Sequence, residues 1–128
     1  MPIEEELQVV LNRYVAAYQV GDAEGCAAVF TDDGELHSPY GPSAVGRAAI
    51  AATHRLWTAG GSAGKRLDVI KAGGAGGLAW CLARFSEGAE PGTGTSLMVF
   101  QCQPGAEDWL IRICSLNETT AAEDATSR

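Results

Sequence analysis

The hydrophobic period of this chain changes once, near Gly64, and that change limits the folds open to it. Before Gly64 the apolar residues return every three or four positions; after it they alternate. Leu7, Val10, Leu11, Tyr14 and Tyr18 fall on one face of a helix expected over 3–20. Gly21 ends that helix, and Asp22 is a suitable N-cap for a short second one placing Cys26, Val29 and Phe30 on one side. Residues 31–34 (Thr-Asp-Asp-Gly) have the composition of a turn, and 35–38 read as a short strand closed by Pro39, Gly41 and Pro42. A third helix is expected over 46–58, with Ile50, Thr53, His54 and Trp57 sharing a face and Gly60-Gly61 stopping it.

Beyond Gly64 the alternation predicts strands over 65–72, 78–86, 95–103 and 109–116. They are separated by the run GGAGG, the loop EGAEPGTG and the turn PGAED. Short Gly/Pro connections between successive strands imply antiparallel hairpins. The glycine run lies between two strands, so it reads as a hairpin turn; a phosphate-cradling loop needs a helix N-terminus behind it. Helices grouped first and a meander grouped second predict an α+β fold, three N-terminal helices packed on a curved antiparallel sheet. Such a sheet covers one side of the helices and leaves a cone-shaped hollow between the layers. The 128 residues suit one domain, expected over 1–117, followed by a flexible acidic tail over 118–128.

Charge and cysteine usage exclude several functions. The net charge of −7 gathers largely at the ends, in Glu4, Glu5 and Glu6 and in Glu118, Glu123 and Asp124. With no basic stripe to neutralise phosphates, nucleic acid is not an expected partner. No apolar run approaches the roughly 18 residues of a membrane span, so no membrane partner is expected. The start MPIEEEL is acidic where a secretory signal is basic, which predicts a cytoplasmic protein. Cys26, Cys81, Cys102 and Cys114 lie in apolar stretches without C-x-x-C spacing, as free, structural cysteines do. Neither a metal site nor a cofactor is predicted, because no ligand pairs stand at metal spacing.

A concave apolar pocket with a few polar groups is the default ligand site. Tyr14, Tyr18, Phe30, Trp57, Trp80 and Phe100 are the candidates to line the hollow, with Tyr40 and Met98 as further ligand contacts. The same aromatics could equally be plain core. His37 and His54 are the only histidines, and histidine titrates in the useful range. Strand alternation sends His37 and its neighbour Ser38 to opposite faces, whereas His54 and Trp57 can share a helix face. Asp32 and Asp33 suit a turn, and Glu35, Asp68 and Glu87 look isolated on strands or strand ends.

The pattern R-Y-V-A-A-x-x-x-G-D, then F-T-D-D, then a strand ending in P-x-G and then G-R-x-A-I resembles the NTF2-like superfamily. Within it the chain is most similar to the ketosteroid-isomerase and SnoaL-like branch. The resemblance is strong from about Leu7 to Trp57 and topological beyond, and it implies a cone-shaped half-barrel. That fold carries isomerases, cyclases, dehydratases and oligomerisation modules, so it does not fix an activity. Tyr14 matches the isomerases' oxyanion-donating tyrosine, an enzyme that serves as a standard example of tuned carboxyl groups. Their aspartate base stands directly before the strand proline, where this chain has Ser38. Their protonated aspartic acid corresponds to Met98, and a further pocket tyrosine to His54. Ser38 cannot shuttle a proton unaided and Met98 cannot donate one, so steroid isomerisation is not expected.

Two functions from different classes follow. One is a cofactor-free isomerase-, cyclase- or dehydratase-like protein holding a small hydrophobic carbonyl compound, with Tyr14, His54 and Ser38 as the candidate catalytic residues. The other is a non-catalytic binding or dimerisation module. For either, an apolar outer sheet face would be covered by a second copy, making a homodimer. The alternation of Thr95, Leu97, Val99, Gln101 and Gln103 is mixed enough to suit such an interface.

Overall fold

The computed structural model describes residues 2–87, 93–103 and 108–118. Helix α1 spans Ile3–Gln19, with Glu4, Glu5 and Glu6 in its first turn, where the positive end of the helix dipole favours them. It buries Leu7, Val10, Leu11, Tyr14 and Tyr18, the face expected from their spacing. Helix α2, Ala23–Ala28, is capped as predicted: the Asp22 carboxylate accepts from the Gly25 amide at 3.0 Å. Helix α3, Arg47–Thr58, buries Ile50, Ala51 and His54.

Six strands form one curved, unclosed sheet: β1 Phe30–Ser38, β2 Gly41–Val45, β3 Arg66–Ala75, β4 Leu78–Ser86, β5 Gly94–Cys102 and β6 Trp109–Glu118. Their order is β2-β1-β6-β5-β4-β3, so the meander β3 to β6 is antiparallel throughout, as the short connections imply. The α+β architecture is as expected, with one parallel element. Strand β1 joins β6 in parallel, because α3 and the whole meander intervene before the chain returns beside it.

Local expectations change at four places. Phe30 leaves α2 and opens β1, and residues 31–34 are not a turn but an irregular stretch of that strand. The Arg47 side chain stabilises the stretch, donating from Nε and Nη2 to the Phe30 carbonyl at 2.9 and 2.7 Å and from Nη1 to Asp32 at 2.6 Å. Proline and glycine at 39–42 do not end the sheet; they turn β1 into the short strand β2. The glycine run is mostly strand, because β3 continues to Ala75 and only Gly76 and Gly77 turn the hairpin, Gly76 at φ +61°. Gly73 is required for a different reason: a Cβ there would lie 2.9 Å from the Trp80 indole nitrogen, so the ring lies across its strand neighbour. Glu118, expected to begin the tail, is the last residue of β6; residues 119–128 lie outside the described residues, as do 88–92 and 104–107 of the two expected loops.

The helices cover one face of the sheet, and the core lies between the layers. Phe30, Leu36, Phe85, Met98, Phe100 and Ile111 rise from the sheet against Leu7, Leu11, Tyr14 and Ile50. Cys26, Cys81 and Cys114 are buried there, Cys102 is half-buried, and none of the four is joined in a disulfide. Burial pushes the Cys26 and Cys81 thiols up to about 12 and that of Cys114 to about 11. Among the described residues, no helix is long and apolar enough to cross a membrane.

Candidate functional site

Tyr14 and His54 meet in the hollow. The Tyr14 hydroxyl lies 2.7 Å from His54 Nε2, and His54 Nδ1 lies 2.7 Å from the Ile50 carbonyl. A carbonyl oxygen only accepts, so Nδ1 carries a hydrogen; in the neutral ring Nε2 is then the acceptor, and Tyr14 donates to it. His54 is 0% exposed, and burial lowers its pKa to about 4, the Ile50 bond opposing and the Lys65 charge reinforcing the fall. Burial first, then the nearby Cys26, Cys114, Tyr18 and Glu87, pushes the Tyr14 hydroxyl well above the ordinary tyrosine value. At neutral pH both groups are uncharged and bonded to each other.

From this pair an aromatic series runs outward. The Tyr18 ring lies 5.8 Å from the His54 ring, Trp57 lies 5.2 Å from His54, and Tyr40 stands edge-on to Trp57 at 6.1 Å. The room lies at the outer end of this series. An inner cavity bounded by Tyr14, Phe30, Phe85 and Met98 measures about 20 Å³, space for about one water. An open cleft of about 260 Å³ lies above it, walled by Tyr18, Tyr40, Trp57, Gly61, Lys65, Glu87 and Leu116.

Two residues of that cleft stood apart from the sequence-based site. Lys65 is 3% exposed, and its Nζ lies 2.8 Å from Glu87 Oε2, 4.4 Å from the Tyr18 ring centre and 5.2 Å from that of Phe85. The signal was parity. Lys65, one residue before β3, keeps the parity of the inward Leu67, and Glu87, one residue after β4, keeps that of Phe85. Arg66 pairs with Ser86 across the strands, so the next residue on each side brings Lys65 to Glu87. Without the hairpin register, a lysine after glycine and an acid at a strand end look like surface.

The remaining candidates separate. Ser38 is half-buried, and its Oγ accepts from the Tyr40 amide at 3.1 Å, bracing the turn into β2 and not meeting Tyr14. His37 takes the other face, as alternation required: Nε2 donates to Glu35 at 3.0 Å and Nδ1 pairs with Ser43 at 2.7 Å. Those bonds, the His37 contact first and Arg112 next, hold the Glu35 carboxyl below its ordinary value. Phe30 and Met98 line the inner cavity, whereas Phe100 is fully buried core and borders neither cavity. Trp80 requires correction: it is 41% exposed on the outer face of β4, because Ala79 and Cys81 take the inward positions. Among the described residues, no cluster of three or more His, Cys, Asp or Glu could hold a metal ion.

A curved sheet closed on one side by helices, with an aromatic hollow between the layers, defines the NTF2-like class of proteins. The model of the SnoaL-like domain matches residues 11–103, and the chain belongs to that family. Solved structures carry the same fold. A ketosteroid isomerase-like protein from Erwinia carotovora atroseptica is 17% identical with a TM-score of 0.73, over 91% of this chain and 96% of its own. An NTF2-like protein with a cystatin-like fold from Novosphingobium aromaticivorans is 27% identical with a TM-score of 0.66, over 94% and 86%. A domain of unknown function with a cystatin-like fold from Nostoc punctiforme is 22% identical with a TM-score of 0.77, over 98% and 83%.

Proposed function

We propose that this SnoaL-like domain binds a small, apolar-bodied molecule in the cleft between Tyr18, Tyr40, Trp57 and Leu116. The observation that carries this reading is the open space of about 260 Å³ with aromatic walls and one ion pair in its lining. Proteins place ligands in such concave, mostly apolar sites with few polar groups. Cofactor-free chemistry on a bound carbonyl compound, of the isomerase, cyclase or dehydratase kind, belongs to this reading only where the cleft supplies the acid and base. A useful shuttle titrates near the working pH, and His54, lowered to about 4, lies well away from it. Tyr14 and His54 act in this reading as the rigid floor beneath the ligand, with Met98 and Phe30 below.

The test is a thermal-shift screen of hydrophobic aromatic and alicyclic compounds against the protein and its Trp57→Ala and Tyr40→Ala variants. A ligand at a hundred times its Kd stabilises the fold by about 2.7 kcal/mol, which is readily detected. Hits that weaken in both variants support the cleft. Hits that persist unchanged in both would remove the site from these residues.

A second reading concerns assembly. Leu78, Trp80 and Leu97 are 53%, 41% and 47% exposed on the outer sheet face, and register aligns Trp80, Val99 and Ile113 across β4, β5 and β6. An apolar face of this kind favours a two-fold homodimer, independent of what the cleft holds. Light scattering is expected to give twice the chain mass for the wild type and the chain mass for Leu97→Glu. A monomeric wild type would end this reading.

A further inference from the structure

We infer that the cleft selects a neutral ligand bearing a carbonyl oxygen, which the Lys65 ammonium takes while Glu87 rejects carboxylates. The inference rests on the ligand-binding reading above and assigns the polar end of that ligand.

Lys65 is an unusual wall for an apolar cavity. Its side chain is 4% exposed, the residue lines both the open cleft and the small cavity, and its Nζ lies near Tyr18 of the first lining and Phe85 of the second. A charge taken from water is retained at such a place only with compensation. Here the compensation is one carboxylate and two aromatic faces: Glu87 at 2.8 Å, the Tyr18 ring at 4.4 Å and the Phe85 ring at 5.2 Å. An ammonium has three N–H donors, and among the described residues Lys65 gives one to an oxygen, that of Glu87. A ligand with a flat body between Tyr18 and Trp57 would bring a carbonyl oxygen within reach of this donor group. That hydrogen bond would be charge-assisted, and stronger for being shielded from water.

The second half concerns charge. Glu87 borders the same cleft, 2.8 Å from the ammonium, and its side chain is 33% exposed. A ligand carboxylate reaching for Lys65 would meet a carboxylate already there. Tyr40, in the same lining, has its hydroxyl pushed up to about 12 by burial first and then by Glu118 and Glu87, so a second carboxylate stands near the mouth. A neutral ketone, aldehyde or ester meets no such opposition. The Lys65–Glu87 pair therefore reads the ligand's polar end by acceptance without charge.

Three two-ring probes of nearly equal size separate the cases by calorimetry: acetylnaphthalene (a ketone), ethylnaphthalene (its hydrocarbon counterpart) and naphthoate. In the wild type the ketone is expected to bind about tenfold more tightly than the hydrocarbon, the scale of one charge-assisted bond in a shielded site. Naphthoate should be the weakest of the three. Lys65→Met should bring the ketone down to the affinity of the hydrocarbon while leaving the hydrocarbon unchanged. Glu87→Gln keeps the ammonium, so it remains informative if Lys65→Met does not fold; it should retain the ketone and improve naphthoate about tenfold. Ketone and hydrocarbon bound equally by the wild type would overturn the role of Lys65 while leaving the cleft as a ligand site. Naphthoate bound most tightly, or unimproved by Glu87→Gln, would overturn the selection against carboxylates. Failure of all three probes to bind would overturn this inference together with the cleft reading.

Discussion

Acid should weaken this fold through His54 before it does so through the carboxylates. The imidazole is fully buried, donates from Nδ1 to the Ile50 carbonyl and accepts from the Tyr14 hydroxyl, so the native state holds it neutral. Burial lowers its pKa from the ordinary 6.5 to about 4, whereas the unfolded chain restores the ordinary value. Between those two pH values the unfolded chain binds a proton that the folded chain refuses, so stability falls as pH falls through this window. Above about 6.5 both states are neutral and the histidine contributes no slope. At about 1.4 kcal/mol per pH unit of separation, the loss reaches about 3 kcal/mol by pH 4, a large share of a typical domain's stability. The assay is urea unfolding at steps from pH 7.5 to 4, followed by far-ultraviolet circular dichroism, for the wild type and His54→Gln. Carboxylates held low in the folded state, such as Asp33 and Glu35, contribute equally to both proteins, so the difference isolates position 54. The wild type should lose about 3 kcal/mol more than the variant across the window. Parallel curves would refute the claim that the native state keeps this imidazole neutral.

Other consequences follow from the same geometry. Tyr14→Phe leaves the buried Nε2 of His54 without its donor and should cost about 1–3 kcal/mol in denaturant unfolding. In a His54→Leu background the same change should cost far less, and equal costs would show that the bond is not the source. Thiol labelling under native conditions should modify Cys102 first, because it is half-buried while Cys26, Cys81 and Cys114 are buried with raised thiol pKa values. Fast labelling of Cys81 in the folded protein would contradict its inward position on β4.

How far the site was legible follows from the range of the forces involved. The spacing of Tyr14 and His54 within their own helices placed each on an apolar face, and the family resemblance put both in one pocket. Periodicity reports which side of an element is dry, and both helices have one dry side. Trp80 failed the same reasoning because a tryptophan on a buried-looking strand has two faces to choose from. Ala79, Cys81, Ala83 and Phe85 fill the inner one, and Gly73 on the next strand leaves room for the ring outside. Ser38 failed because its hydroxyl found a local partner, the Tyr40 amide, which strand alternation does not report.

The sequence by itself determined the three helices and their order, the antiparallel meander, the stop of α1 at Gly21 and the Asp22 cap of α2, the family likeness and the inward faces of Tyr14 and His54. All of these rest on contacts within a few residues or on period. Tertiary structure alone decided the rest. It set β1 beside β6 in parallel, since a pairing across most of the chain leaves no local mark. It filled the inner hollow with side chains and left the space one layer out, since volume is a property of packing and not of pattern. Above all it joined Lys65 to Glu87, 22 residues apart in sequence, because hairpin register turns two apparent surface charges into one part-buried pair.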